Sequence, residues 1–597
     1  MTHVKALVVA LALLPNPTTL YAASSQPHNV ILFVPDGLRA VMVDKTTAPA
    51  MAEVRDSGVN FQNSHSMFPT VTTANASALA TGHYLGDTGD FGNAIFVGFP
   101  IHSALDSVTP FIENDMVLGE LDAHFGGDYL GHQTVLSAAR AAGYSTAVVG
   151  KTGPALIQDH TARDGQSTII IDDSTGKDDV NDGPRRGIPL SQTVKDAFDT
   201  AKLQYVPPAT GVPNQEQQDH FVKAFTQVVL PRFRAQGKPF YAIFWSRDPD
   251  GSQHGQTDSK GQLTPGINGP TSLKAIANAD GDLAAIRTAL KQLGLDGTTD
   301  IVIAADHGFS TIEKESATSP AAKMTFEDGP PGSLPVGFLA IDLGKALNLP
   351  LFDPDDGNRK VADAHHPRRG NGLLGNDPAR PEIVVTANGG ADLIYLPKPN
   401  AKVTARKVVD ALLAQDYVSG IFVRDDFGKI PGALPISAIG LKGAAKTPTP
   451  AIVVNFRSFA TGCDQPVKCT AEIADAPLGK GQGYHGSLSR ADTYNFQAAI
   501  GPDFKQGFVD TAPSSNADIG ATIAHLLGLK LKGAGTLSGR VLSEAFPSGS
   551  APSVRHETLH STSGADGLVT ELETQSVGRT QYFDAGGFKG RTVGLTP

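Results

Sequence analysis

The chain has 597 residues, 40% of them hydrophobic and 18% charged, with a formal net charge of −11. This is the composition of a globular protein rather than a low-complexity chain, and the mild acidity with no Lys/Arg block excludes a nucleic-acid backbone as the large partner. Its 64 glycines and 41 prolines imply extensive loops, and its length equals about three or four average domains or one large α/β enzyme with insertions.

Residues 1–23 have a Lys at position 5, an apolar run over 6–14 and small residues around Tyr21-Ala22-Ala23. The run is too short to span a bilayer, so a cleaved signal is expected, with a periplasmic or secreted product. No later stretch of about 18 apolar residues argues for an anchor. The two cysteines, Cys463 and Cys469, close a small loop around Pro466, and in an exported protein they are expected as a disulfide.

HNVILFVP over 28–35 is a continuous apolar run ending at Asp36-Gly37, the pattern of a buried parallel strand. A helix over 48–56, a short strand at 59–61, a helix over 133–142 and a buried strand at 145–150 follow. Residues 157–208 read as an insertion with an acidic cluster, Asp172, Asp173, Asp178, Asp179 and Asp182, which is either a calcium ligand set or a solvated loop. A long helix over 215–236 leads into the strand YAIFW, whose polar exit is SRDPDGSQH. A helix over 273–293 precedes DIVIAA, which delivers Asp306-His307-Gly308. Residues 311–380 read as a loop-rich insertion that caps or shapes the site, with His365 and His366 at the surface. An antiparallel pair at 383–386 and 391–396, a helix over 405–413, strands at 418–423 and 451–456 and a helix over 516–527 complete the series, with no role for His525. Alternating strands and helices predict an α/β fold, a parallel, mixed-edge sheet sandwiched by helices. They also predict one catalytic domain over 28–545 with a polar tail, 546–597, packed loosely on it.

FPTVTTANASALATGHYLGDTGDFGN, residues 68–93, sets Thr70, Thr72 and Thr73 before a small-residue helix. A hydroxyl there is an ordinary cap, or a group placed for chemistry on an anion, since free N–H groups and the helix dipole favour negative charge. Three strands end in metal-ligand residues: Asp36, then Asp250 and His254, then Asp306 and His307. His485 lies in a Gly-flanked turn. The C-terminal edge of a parallel sheet gathers such residues. Six Asp and His ligands are too many for one tetrahedral ion and enough for two.

The set VPDG, PTVTTAN, DPDGSQH, ADHG and YHGS, in this order over residues 29–504, resembles the alkaline phosphatase superfamily, and most its nucleotide pyrophosphatase/phosphodiesterase branch. The resemblance implies two Zn2+ ions, one on Asp36, Thr72, Asp306 and His307, the other on Asp250, His254 and His485. It implies Thr72 as the nucleophile, a phosphothreonine intermediate, and Asn93 as hydrogen-bond donor to a nonbridging phosphoryl oxygen. Small phosphodiesters or phosphoanhydrides are then the expected substrates. The pattern departs from the family in ways that keep other readings open. TTANA replaces TFPNH, so Thr73 rivals Thr72. Trp245 stands where the alkaline phosphatases carry a magnesium-site Glu, and no basic residue matches their phosphate clamp. Lys151, after STAVVG, is the one candidate to contact a phosphate dianion, which would suit a phosphomonoesterase or phosphonate hydrolase. The C/S-x-P-x-R motif of sulfatases is missing from the sequence. A non-catalytic metal-containing envelope protein is the reading from outside enzymology.

Overall fold

A computed structural model describes residues 28–177, 187–327 and 329–595. The expected signal and Asp178, Asp179 and Asp182 lie outside them. Six strands, β1 (Asn29–Pro35), β2 (Val59–His65), β3 (Ser145–Gly150), β4 (Ile169–Asp172), β5 (Phe240–Ser246) and β6 (Thr299–Ala304), form an eight-stranded sheet with Gln497–Ile500 and Phe508–Ser515. The order runs Phe508–Ser515, β2, Gln497–Ile500, β6, β1, β5, β3, β4. Its centre, β6-β1-β5-β3-β4, is parallel, while Gln497–Ile500 pairs antiparallel with β2 and β6. The expected mixed-edge parallel sheet is therefore present.

β1 is fully buried because both of its faces are covered. Alternate side chains face opposite ways: Val30, Leu32 and Val34 pack with Leu79 and Ala78 of the helix Thr72–Thr81, while Ile31 and Phe33 pack with Met51, Val54 and Leu283 on the other side. Each such burial stabilises by about 1.5–3 kcal/mol. This two-sided core fixes where every central strand ends, and so fixes the site.

Two regions read as insertions carry more regular structure than expected. Within 157–208, β4 extends the main sheet beside β3 and the helix Gln192–Thr200 follows it. Residues 311–380 supply the helix Phe338–Leu347 and the strands Leu351–Asp353, Arg359–Lys360 and Gly372–Leu374 to a second eight-stranded sheet. These strands are two or three residues long, too short for a period-2 pattern to register. The second sheet also contains the predicted pair Ile383–Asn388 and Ala391–Tyr395. The helix expected over 215–236 has a π-helical turn at Ala224–Val229.

A four-stranded sheet joins Ser458–Ala460, Thr470–Ile473, Ser310–Glu313 and Gly483–Tyr484. Gly483 pairs with Thr311, which brings His485 beside the exit of β6. Cys463 and Cys469 form the expected disulfide in this region. The tail read as loosely packed forms a three-stranded antiparallel sheet, Arg555–His560, Thr570–Val577 and Thr580–Phe588. Leu572, Tyr582, Phe583 and Phe588 are buried on it. No described helix is long and apolar enough to cross a membrane.

Candidate active site

The candidate side chains come from strand ends and from the short elements that follow them: Asp36, Lys151, Asp306 and His307 follow strands, Asp250 and His254 lie on the helix Asp250–Gly255 after β5, and Thr72 opens the helix Thr72–Thr81. Asp36 continues the ladder of β1, its N–H donating to the Ser246 carbonyl, and its own carbonyl accepts from Asp250 N (3.1 and 3.0 Å). Gly37 turns away with φ +67°, and a Cβ there would stand 2.8 Å from the Phe309 ring, so the turn requires glycine. Its N–H donates to Asp306 Oδ1 at 2.9 Å, locking the ends of β1 and β6 together.

None of the three threonines is an ordinary cap. The helix Thr72–Thr81 has Val71 at its N-cap and no side-chain cap bond. Thr70 Oγ1 donates to Ser487 O (2.9 Å) and accepts from Gly486 N (3.1 Å), which ties the helix entrance to the His485 turn. Thr73 Oγ1 faces Asp90 Oδ1, Gly92 O and Asn93 Oδ1 at 3.0–3.1 Å. Only Thr72 turns inward, with Oγ1 3.2 Å from His307 Nε2 and 3.3 Å from Lys151 Nζ. Thr72 and Thr73 thus differ in orientation.

The ligand candidates converge. Ligand atoms of Asp36, Asp306 and His307 lie within 4.8 Å of one another, as do those of Asp250, His307 and His485. His254 Nε2 is 3.1 Å from Asp250 Oδ1, and His485 Nε2 is 3.4 Å from the same atom. The His307 and His485 rings stack with centroids 3.6 Å apart, holding the two groups side by side.

Each imidazole is oriented from behind. Nδ1 of His254 faces Gly483 O, that of His307 faces Gly308 O, and that of His485 faces Thr70 O, all at 2.8 Å. A carbonyl only accepts, so Nδ1 of each ring carries a proton; in His307 and His485 Nε2 presents its lone pair inward, while on His254 burial is outweighed by Asp250, which raises that imidazole above its ordinary range. Those lone pairs face carboxylate oxygens, which are also acceptors. Asp36 Oδ1, Asp250 Oδ1 and Asp306 Oδ2 are buried with no hydrogen-bond donor. Acceptors facing acceptors inside a protein are stable only with a cation between them. The donor set, carboxylate oxygen and neutral imidazole, fits divalent metals.

The electrostatics agree. Burial raises the Asp36 carboxyl well above the ordinary range, with Asp250 and Asp306 adding to the effect and Lys151 and Trp245 opposing it. Burial brings Asp306 to about 7 and holds His307 and His485 down to about 3, so both rings are neutral. Asp250 goes the other way: burial would raise it, but Lys151 and His254 outweigh that and hold it ionised.

Lys151 is buried and reaches Asp36 Oδ2, Asp250 Oδ2 and Thr72 Oγ1 at 3.0–3.3 Å, with Glu113 at 3.6 Å. Trp245 Nε1 donates to the same Asp36 Oδ2 at 2.8 Å. Asn93 accepts from Thr73 N at 2.9 Å through Oδ1, which leaves its amide N–H groups for the cavity it lines. That cavity, about 570 Å³, is walled by Thr72, Asn93, Lys151, Asp250, His254 and His485.

Glu113, Arg247, Arg368, Arg369 and Tyr484 also line it and were not singled out in the sequence as site residues. Arg247 was findable, since it lies one residue beyond the end of β5. Glu113, Arg368 and Arg369 come from loops, and Tyr484 from a strand two residues long, where no period marks them. Arg247 explains part of the acidic cluster: its Nη2 donates to Asp173 Oδ2 at 2.8 Å, and Thr152 N donates there too at 2.7 Å. Asp172 and Asp173 are buried, so they are not a solvated loop.

Residues 30–390 match the family model described as type I phosphodiesterase / nucleotide pyrophosphatase. The match covers β1, the threonine helix and every candidate ligand except His485. A comparison with curated proteins finds no match.

Proposed function

The chain belongs to the type I phosphodiesterase/nucleotide pyrophosphatase family, and from that premise we propose that it is an exported two-zinc hydrolase that cleaves phosphodiesters or phosphoanhydrides through a phosphothreonine. The family is metal-dependent and acts on small phosphate esters. The observation that carries the mechanism is the position of Thr72 Oγ1, at a helix N-terminus and within 3.3 Å of both His307 and Lys151.

Asp36, Thr72, Asp306 and His307 would hold one zinc, and Asp250, His254 and His485 the other. Bound there, the two ions would supply the positive charge that makes a threonine alkoxide accessible near neutral pH and that neutralises a leaving oxygen. Thr72 Oγ1, its proton released to water in the cavity, bonds to phosphorus as the bond to the leaving oxygen breaks, and the leaving oxygen takes up a proton from water. Water then attacks phosphorus, the bond to Oγ1 breaks, and Thr72 regains its hydroxyl. The Asn93 amide and first-turn N–H groups of the helix donate to the nonbridging oxygens. Lys151 stabilises charge on Oγ1, while its ammonium is largely neutralised by Asp36, Asp250 and Glu113, which supports a singly charged diester over a dianionic monoester. Export is supported by the N-terminal pattern and by the disulfide.

Two measurements test this. Thr72→Ala is expected to retain both metals and lose at least about 10³-fold in kcat; unchanged hydrolysis would remove Thr72 from the reaction. The ratio of kcat/KM for bis(4-nitrophenyl) phosphate to that for 4-nitrophenyl phosphate is expected to exceed one by a wide margin. A strong monoester preference would instead favour the phosphomonoesterase reading, for which the contact between Lys151 and Thr72 is the supporting observation.

A further inference from the structure

We infer that a second anion subsite adjoins the reaction cavity, in which Arg368 receives, with Arg369 beside it, a phosphate carried on the substrate's far arm; this rests on the phosphodiesterase reading above. Arg368, Pro477 and Leu478 line the 570 Å³ cavity over Thr72, and the same three residues line a neighbouring cavity of about 470 Å³. Arg368 therefore stands between two spaces, one at the reacting atoms and one beyond them.

The lysines and arginines lining the two spaces differ in their partners. In the first cavity, Lys151 lies among Asp36, Asp250 and Glu113, and Arg247 is bound to Asp173. In the second, Lys480 is paired with Glu313 and Glu315, and Lys314 donates to the Ala474 and Ala476 carbonyls. That leaves Arg368, Arg369 and Lys260, which are exposed and form no ion pair among the described residues. None of the described residues lining the second cavity is a carboxylate.

Asp353 lies within electrostatic reach of Arg368 and Asp355 of Arg369, but neither forms an ion pair with its arginine, and both are held by other donors. Asp353 accepts from the backbone N–H groups of Arg368 (2.6 Å) and Asp355 (2.8 Å), and Asp355 accepts from Asn371 Nδ2 (2.8 Å). The first of these bonds also pins the backbone that carries the arginines. Gly370, at φ +92°, fixes the turn behind them, since a Cβ there would stand 2.6 Å from Ala387. A planar guanidinium on a fixed backbone is suited to bidentate capture of a phosphate. Because the first cavity already accommodates the scissile phosphate and its ester groups, the phosphate bound by Arg368 is several bonds away from the reacting phosphorus.

The test compares the 4-nitrophenyl ester of thymidine 5′-phosphate with the same ester bearing a 3′-phosphate, on the metal-loaded protein. The added phosphate is expected to raise kcat/KM about tenfold or more. Arg368→Ala should abolish that gain and Arg369→Ala should reduce it, the gain being read on each variant as the ratio of kcat/KM between the two esters. No gain in the native protein, or a gain that survives in the double variant, overturns the subsite. Calorimetric binding of thymidine 3′,5′-bisphosphate against thymidine 5′-phosphate separates the two proposals. If neither ester is cleaved, yet the bisphosphate binds more tightly and does so only while Arg368 is present, the subsite stands and the diesterase reading falls.

Discussion

His83, Asp87 and His132 lie as close together as Asp36, Asp306 and His307, with ligand atoms within 4.8 Å in both groups, yet the two clusters are built for opposite purposes. In the first, the carboxylate is surrounded by donors. Asp87 accepts from Ala444 N (3.1 Å), Leu537 N (2.7 Å) and His83 Nδ1 (3.0 Å), while both ring nitrogens of His132 face carbonyls, of Leu130 and Ala534. Burial works against the Asp87 charge, but His83 and the two amides outweigh it, and the carboxyl sits below its ordinary range. In the second, burial raises Asp36 and Asp306, and an oxygen of each is left without a donor. Proximity of His and Asp does not make a metal centre; acceptors left unsatisfied by the fold do.

That contrast can be broken at either cluster. The largest expected effect is from Asp250→Ala, which removes the carboxylate that His254 and His485 both face: kcat/KM should fall at least about 10³-fold, and the metal content measured by plasma mass spectrometry should drop. Full metal content in this variant would move the second ion elsewhere. Asn93→Ala should lower kcat by about 10²–10³ with metal content intact, as expected for the loss of one donor to a developing oxyanion. Asp87→Ala should instead leave metal content and kcat unchanged and lower the unfolding free energy by about 1–2 kcal/mol, because two partly buried amides lose their acceptor; urea denaturation measures this, and a loss of metal would make this cluster a metal centre. The smallest effect is in pH dependence. A depressed Asp87 contributes stability that is present above its unfolded value near 3.8 and is lost as pH falls through the lower folded value. Asp87→Asn should therefore flatten the acid limb of the unfolding midpoint against pH, leaving the neutral region parallel to the native curve.

The same contrast explains what could be read before the structure. Asp36, Asp250 and Asp306 were legible because each follows a continuous apolar run, and such runs predict buried parallel strands whose ends converge. His485 was legible only as a ligand type in a turn; its arrival depends on the pairing of Gly483 with Thr311, a strand two residues long. Thr72 and Thr73 were indistinguishable as letters, since Asp90 and Gly92, which occupy Thr73, are drawn in by the loop that follows the helix. The H-x-x-x-D at His83 and Asp87 would suit a ligand pair equally well in sequence. What sets it apart is backbone from residues 130, 444, 534 and 537, and backbone groups have no letter. The second sheet was only half visible, because Leu351–Asp353 and Gly372–Leu374 take their conformation from their neighbours rather than from local pattern.

Trp245 is the chain's single tryptophan, fully buried, with its indole N–H on Asp36 Oδ2. The protein thus carries one intrinsic fluorophore, bonded to the carboxylate at the centre of the reaction site. Its emission isolates that spot from the remaining structure, with no label and no background from other indoles. A change of charge at Asp36, whether by a proton, a metal ion or an arriving phosphate, is felt by the excited indole 2.8 Å away. Loading of the site can therefore be followed by its own light, separately from turnover.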